Sequence, residues 1–477
     1  MGIWTRKTID QAIASSDDGD SPTLKRHLGP YSLIALGIGV IIGAGLFSIT
    51  GIAAAQYAGP AIIISFIIAA IGCAFAGLCY CELASMLPIA GSAYTYASVA
   101  IGELFAWIIG WDLILEYAIG AAAVSISWSA YVVSFLNDFG IDLPSSLIAS
   151  PWHPTMLPDG TIAYGIINLP AVLITATCTL LLIRGIKESA TVNNIFVLIK
   201  LAVIFIFIAV GVWYIKPENY TPFIPENSGT FGIYGWSGIF RASGIVFMAY
   251  IGFDSLSTAA QEAENPKRDM PIAILGALAI CTALYVLFSF VLVGIVDYSK
   301  LNVAAPVALA VDQTPYWWLT WLIKLAILAG LSSVILVLLM GQSRIFYAMA
   351  RDKLLPPLFS DLHPQWHTPW KASIALMLLV SLVGAFVPLE ALASMTSIGT
   401  LFAFVIVCGA VLVLRYRHPE YPRAFKTPGM PVVPILGIAI CLMIMCSLDS
   451  HTWLRLAIWM TIGLLLYFFY GKNKSVV

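Results

Sequence analysis

Lys200 in VLIKLAVIF, Asp112 and Glu116 in GWDLILEYAIG, and Asp254 in GIVFMAYIGFDS each stand inside a long apolar run. An ionisable side chain at that depth is costly and by default marks a solute or proton path. A carboxyl or amine there binds and releases a proton or pairs with a charged solute. Bland readings stay open beside these: Lys200 tethered to neighbouring carbonyls for packing, Glu116 as a hydrogen-bonded acid within a bundle. Asp254 has a third use, accepting from backbone freed where its helix is interrupted, and Asp112 lies one turn from Glu116 and can share its network. Glu82 and Glu103 fall near segment ends, where solvated or gating ion pairs are expected. An enzyme would need a nucleophile, an acid–base pair or a metal set at one depth, and no such set is legible. The eight cysteines lie within or at the ends of apolar runs, Cys79 and Cys81 form C-x-C with no histidine nearby, and all six histidines are expected in loops. No disulfide framework, metal site or cofactor is expected.

The stretch GIGVIIGAGLF, residues 37–47, adds Gly37, Gly39, Gly43 and Gly45 to one apolar run. Each glycine costs up to about 1 kcal/mol against alanine in a helix interior. A nucleotide-binding loop would need G-x-G-x-x-G after a strand; the spacing is wrong and both flanks are apolar. Gly39 and Gly43 also form a G-x-x-x-G, the mark of close helix packing. The remaining reading is a helix deliberately broken to line a binding site.

The elements that must position these residues are set by composition. The 477-residue chain is 60% hydrophobic and 10% charged, with a mean hydropathy of +0.92, where soluble domains carry about 25% charged residues. This is a polytopic membrane protein. Apolar runs of about 20 residues, enough to cross hydrocarbon, recur along the chain, and twelve can be marked at roughly 31–55, 60–87, 102–135, 166–184, 190–214, 236–260, 271–296, 319–349, 371–388, 394–414, 432–449 and 453–470. Span 6 is interrupted by Gly252, five helices after the interruption in span 1. Inverted-repeat transporters place broken helices in matching positions of two halves, so units of spans 1–5 (31–214) and 6–10 (236–414) are expected, with spans 11 and 12 (432–470) peripheral. The second break favours the broken-helix reading of the first.

A net charge of −1 offers nothing to nucleic acid. Threading twelve spans from a cytoplasmic N-terminus puts Arg6, Lys7, Lys25, Arg26, Arg184, Lys187, Lys267, Arg268, Arg344, Arg351, Lys353, Lys371, Arg415, Arg417, Arg423, Lys426, Lys472 and Lys474 inside and leaves Lys216 and Lys300 in outer loops. That asymmetry satisfies the positive-inside rule and assigns both tails, 1–30 and 471–477, to the cytoplasm. No early apolar segment reads as a signal peptide. A small accessory membrane subunit would leave no readable mark.

Together GIGVIIGAGLF, CYCELASMLPIAGSAYTYA, GWDLILEYAIG, AYIGFDSLSTAAQEAENPKRDMP, GQSRIFYAMARDKLLP and SIGTLFAFVIV resemble the amino acid-polyamine-organocation superfamily of permeases, and within it bacterial relatives of the cationic amino acid transporters. The resemblance implies an all-α protein of twelve helices in the leucine-transporter fold, a 5+5 inverted repeat with helices 1 and 6 broken, working by alternating access. Amino acid transport explains the breaks: a zwitterion at the midplane needs partners in place of water. N–H groups around Ala44, Gly45 and Leu46 can receive the carboxylate, and carbonyls of Ile41, Met248, Ala249 and Ile251 can take the ammonium. Side chains at Gly43 and Gly45 are expected to intrude on the ligand.

The resemblance assigns further roles. Lys200, roughly 12 Å inside span 5 at 1.5 Å per residue, takes the place of a sodium ion in proton-coupled members and is the expected proton-coupling residue. Glu116 matches a glutamate facing the substrate side-chain pocket, and Leu338 stands where span 8 closes that pocket. Relatives often have an aromatic at Met248, whose flexible thioether makes a looser cap, and a hydroxyl at Ala44. A leucine at 338 shortens the pocket and favours small neutral side chains such as alanine, whereas Glu116 favours a cation. The expectation is an L-amino acid importer of a bacterial plasma membrane, driven by proton symport; a cationic amino acid or polyamine carrier and an exchanger are the alternatives, and a channel the different class.

Overall fold

Inside hydrocarbon every backbone N–H and C=O must find a partner within the protein, which leaves helices as the form for so apolar a chain. The computed structural model describes residues 28–87, 92–151, 155–156, 162–185, 190–261 and 263–471. Helix α1 (Pro30–Ile41) opens with proline in its first turn, where the missing N–H costs nothing, and stops at Ile42, whose backbone is extended. The chain resumes in a π turn (Gly45–Ile49), a short α2 (Thr50–Ala53), a second π turn (Ala54–Ala58) and a 3-10 turn (Gly59–Ala61) before α3 (Ile62–Met86). Then follow α4 (Ser92–Ala100), α5 (Glu103–Ile114), a π segment (Leu115–Ile119), α6 (Gly120–Asn137), α7 (Leu169–Ile183) and α8 (Ala190–Gly211).

After α9 (Gly235–Val246) helical geometry is lost again, through a 3-10 turn (Phe247–Tyr250), extended Ile251 and Gly252, and a 3-10 segment (Asp254–Gln261). The remaining helices are α10 (Pro266–Ile295), α11 (Pro306–Val311), α12 (Trp317–Arg351), α13 (Trp370–Phe386), α14 (Leu389–Arg417), α15 (Val432–Ser447) and α16 (Ser450–Leu466). Among the described residues the one sheet is a two-residue pairing of β1 (Thr155–Met156) with β2 (Ile162–Ala163). Among the described residues, seven helical stretches are long and apolar enough to cross a membrane: Gly45–Met86, Glu103–Asn137, Asn194–Tyr214, Pro266–Ile295, Trp317–Arg351, Leu389–Arg417 and Ser450–Gly471. α1, α7, α13 and α15 are shorter apolar helices.

The interrupted elements lie inside the bundle. α1 packs on α10 and α8, α9 on α3, and α12 on α6, while α3 also packs on α10 and α14 on α15. Leu198 and Phe205 on α8, Leu382 on α13 and Leu454 on α16 are exposed on the outside, as side chains must be where the surrounding solvent is hydrocarbon.

Several sequence expectations change. α4 and α11 are helices that the apolar runs did not mark, because short helices carry too little hydropathy to register. α10 begins at Pro266, several residues before the expected 271, and buries Pro266, Asp269 and Met270 in its first turns. His451 sits in the first turn of α16 rather than in a loop. Arg241, Lys324 and Arg455 lie inside apolar runs. The Lys324 side chain is 1% exposed, with Nζ 2.8 Å from Asp138 Oδ2 and 3.3 Å from Asp312 Oδ1, tying α12 to the ends of α6 and α11. Arg241 lies over the Tyr57 ring, whose hydroxyl donates to Glu390.

Glu82 and Glu103 are both held by specific partners. Tyr467 Oη donates to Glu103 Oε1 at 2.8 Å. Arg415 binds Glu82 in fork geometry, Nε to Oε1 at 2.7 Å and Nη2 to Oε2 at 2.9 Å, and Arg423 Nε adds 3.1 Å to Oε1. The Thr427 amide completes the set at 2.8 Å. This cluster ties α3 to the end of α14 and the strap after it. Removing one partner of a buried pair strands the other charge, at about 3–5 kcal/mol, discounted where Arg415 is partly solvated. We therefore expect Glu82→Gln to lower the unfolding temperature of purified protein in detergent markedly, whereas Lys426→Ala leaves it unchanged; thermal melts of both variants check this.

Candidate functional site

The two interruptions meet face to face. Gly45 packs so closely on the second one that an added Cβ would fall 2.6 Å from the Ala249 nitrogen. Gly252 has φ +107°, open to glycine at little cost, and a Cβ there would lie 2.6 Å from Val40 Cγ1. Glycine at 45 and 252 is what lets two stretches of bare backbone approach.

Some of the freed groups are already engaged. The Gly43 carbonyl accepts from the Leu46 and Phe47 amides, each at 3.2 Å, and the Met248 carbonyl accepts from Ile251 N–H at 3.3 Å. Tyr285 of α10, fully buried, places its hydroxyl 3.0 Å from the Ile41 carbonyl and 2.7 Å from that of Ala249. Its single proton serves one of them at a time. Among the described residues the amides of Ala44 and Gly45 have no acceptor. The Gly43 amide is likewise without one, and an amide in hydrocarbon without a partner costs several kcal/mol.

The two glycines differ in their protein surroundings. A Cβ at Gly43 would sit 3.5 Å from Val334, in ordinary contact, whereas at Gly45 the Ala249 backbone itself leaves no room. Leu46, Met248, Ala249 and Ile251 are all buried at the meeting point. Leu338, also buried, lies one helical turn after Val334 on the same α12 face and packs toward Gly120 and Thr396. Beyond the break, Tyr131 Oη donates to the Phe47 carbonyl at 2.5 Å, and Ser48 contacts Ser127 while donating to the Ala304 carbonyl at 2.5 Å.

Lys200 and Glu116 lie to either side. Lys200, buried on α8, donates from Nζ to the Gly39 carbonyl at 2.5 Å and runs its stem against Gly330 of α12. It holds the last turn of α1 just before the break. Glu116 faces Asp254, Asp112 and Thr400. Sequence reasoning missed Tyr285, Tyr131 and Tyr117; an aromatic in a membrane helix is ordinary, and no spacing reveals a hydroxyl aimed at a distant carbonyl.

The amino acid permease family model matches residues 28–466, the same stretch that holds both breaks and every residue above. The chain belongs to this family, within the amino acid-polyamine-organocation superfamily. It is a multi-pass membrane transporter, not an enzyme. It is 44% identical to the branched-chain amino acid permease BcaP of Bacillus subtilis over 474 residues, 99% of this chain and 98% of that one. It is 42% identical to the methylthioribose transporter of the same organism over 475 residues, 100% and 99% of the two chains. With the vacuolar cationic amino acid transporter 4 of Arabidopsis thaliana the identity is 37%, over 87% of this chain and 67% of the relative.

The geometry separates three substitutions. Gly45→Val should keep the protein from adopting the closed contact with Ala249 and abolish substrate-induced thermal stabilisation, while Gly43→Ala retains it. Tyr285→Phe removes a hydroxyl serving two buried carbonyls and should cost about 1–3 kcal/mol, read as a lowered melting temperature.

Proposed function

We propose that this permease is a secondary active importer of L-amino acids in a bacterial plasma membrane, with both termini cytoplasmic, working by alternating access with proton symport. The observation that carries the reading is the pair of unengaged amides at Ala44 and Gly45 opposite the interrupted backbone of Met248, Ala249 and Ile251. A carboxylate on those amides and an ammonium on nearby carbonyls, Ile41 included, would satisfy both ends of a zwitterion without a charged side chain. Gly43 and Leu46 flank the carboxylate site. Twelve spans in the leucine-transporter fold supply the machinery in this reading, spans 1–5 (31–214) and 6–10 (236–414) forming the inverted units around the breaks and 432–470 a peripheral pair.

For coupling we assign Lys200. Its ammonium on the Gly39 carbonyl fixes the end of α1, and loss of its proton would remove a charge-assisted bond from the helix that must move. Met248 and Leu338 bound the side-chain space, and their apolar character supports a neutral substrate. We favour alanine-sized side chains; the near-full-length likeness to the branched-chain permease supports a second reading in which valine, leucine or isoleucine is carried.

Uptake in proteoliposomes of alanine, the three branched-chain amino acids, arginine and methylthioribose, with and without an inward proton gradient, tests this reading. Accumulation of a neutral amino acid that follows the gradient is expected. Uptake that needs counter-substrate and ignores the gradient would make the protein an exchanger. Lys200→Ala should lose gradient-driven accumulation more severely than substrate binding; intact accumulation would remove Lys200 from the mechanism. Leu338→Ser should gain arginine or lysine binding while retaining alanine, and unchanged selectivity would show that Leu338 does not bound the substrate.

A further inference from the structure

The tie between Glu82, Arg415 and Arg423 leaves a positive charge over. Glu82 takes four donors: Arg415 Nε and Arg423 Nε on Oε1, Arg415 Nη2 and the Thr427 amide on Oε2. These fill the roughly four lone-pair sites of a carboxylate, so two guanidiniums stand against one full acceptor. Arg423, its side chain 3% exposed, is used to its own limit as well. Nη1 donates to the Pro419 and Tyr421 carbonyls and Nη2 to those of Leu414 and His418. With Nε on Glu82 its donors are spent, and it is a charge fixed in place. Arg415 differs. Among the described residues its Nη1 group has no acceptor, and neither has the exposed ammonium of Lys426.

Both line one cavity. It measures about 400 Å³ and is walled by Arg415, Pro419, Tyr421, Pro422, Arg423 and Lys426, within the about 300–1,000 Å³ of small-molecule sites. From Arg415 to Pro431 the chain carries Arg415, Arg417, Arg423 and Lys426 against a single carboxylate, Glu420, whose Oε1 lies 3.0 Å from His418 Nδ1. Spare N–H groups and excess positive charge fit an anion. A planar guanidinium beside a lysine point charge is the donor set of phosphate sites.

The place of the cavity in the fold favours one source of phosphate. Arg415 lies in the last turn of α14, a helix long and apolar enough to cross a membrane, and the strap 418–431 leads straight into the apolar α15. Tyr416, beside Arg415, is exposed, and so are Val432 and Ile435 in the first turn of α15. Basic pockets at such helix ends suit acidic headgroups, and an exposed aromatic is usual at the membrane boundary. Free phosphate would engage the cations and leave the apolar surface idle, whereas a lipid engages both.

We propose that this cavity binds the phosphate of an acidic phospholipid, on Arg415 Nη1 and Lys426 Nζ, with the acyl chains along the start of α15. The headgroup neutralises the charge left over by the Glu82 tie and so strengthens the joint between α3 and α14. Because α3 packs on α9 and α10, the helices on either side of the second interruption, lipid bound here stabilises the bundle around the breaks. Neither the substrate nor the coupling ion proposed above enters into it.

Purified full-length protein in neutral detergent is melted with added phosphatidylglycerol, phosphatidylcholine or inorganic phosphate, matched in phosphate concentration and ionic strength. Phosphatidylglycerol should raise the melting temperature saturably, and the other two should give less than half that shift. Arg415 is left intact, since its loss breaks the Glu82 tie. In Lys426→Ala half-saturation should need about fivefold more phosphatidylglycerol, the worth of one cation at an anionic surface, while Lys267→Ala, which removes an exposed cation in the first turn of α10, should leave it unmoved. Equal stabilisation by inorganic phosphate overturns the lipid as the source. No saturable shift with phosphatidylglycerol, an unmoved half-saturation in Lys426→Ala, or the same change in both variants overturns the site.

Discussion

Backbone without helical partners inside an apolar bundle is the constraint on which the rest of the structure depends. Leaving an amide or carbonyl bare in such surroundings costs several kcal/mol, yet this chain gives up helical hydrogen bonding at Ile42–Ala44 and again around Ile251–Gly252. Neither interruption is solvated from outside, since both are buried. The bundle answers with hydroxyls: Tyr285 between the carbonyls of Ile41 and Ala249, Tyr131 on that of Phe47, Thr50 on that of Gly45. Among the described residues the amides of Gly43, Ala44 and Gly45 are left without a backbone acceptor.

Charge is handled by the same economy at three depths. At one end Glu82 is locked between Arg415 and Arg423, and near another set of helix ends Lys324 is locked between Asp138 and Asp312. These are ties between helices with both signs present. The middle differs. Lys200 donates to the Gly39 carbonyl, and Asp254 accepts from the Tyr117 hydroxyl. A locked pair of opposite charges resists any change of state.

Family membership and geometry constrain different things. Near-full-length likeness to permeases with different named substrates fixes the class of protein. Met248 is buried at the meeting of the two interruptions, and Leu338 is buried against Gly120.

Composition alone determined the helical, membrane-spanning class, because a chain this apolar can satisfy its backbone in no other open-ended way. The glycines at 43, 45 and 252 marked the places where helices stop, since local backbone cost is written in local sequence. Local sequence did not separate Gly43 from Gly45, yet Val334 leaves room for a Cβ at the first that Ala249 denies at the second. It did not foresee Tyr285, Tyr131 or Lys324. Tyr285 meets Ile41 and Lys324 meets Asp138 across more than 100 residues of chain, and Tyr131 meets Phe47 with whole helices between. Periodicity and hydropathy report what a residue does to its own helix. Which hydroxyl meets which carbonyl depends on how helices dock, and that is settled by packing.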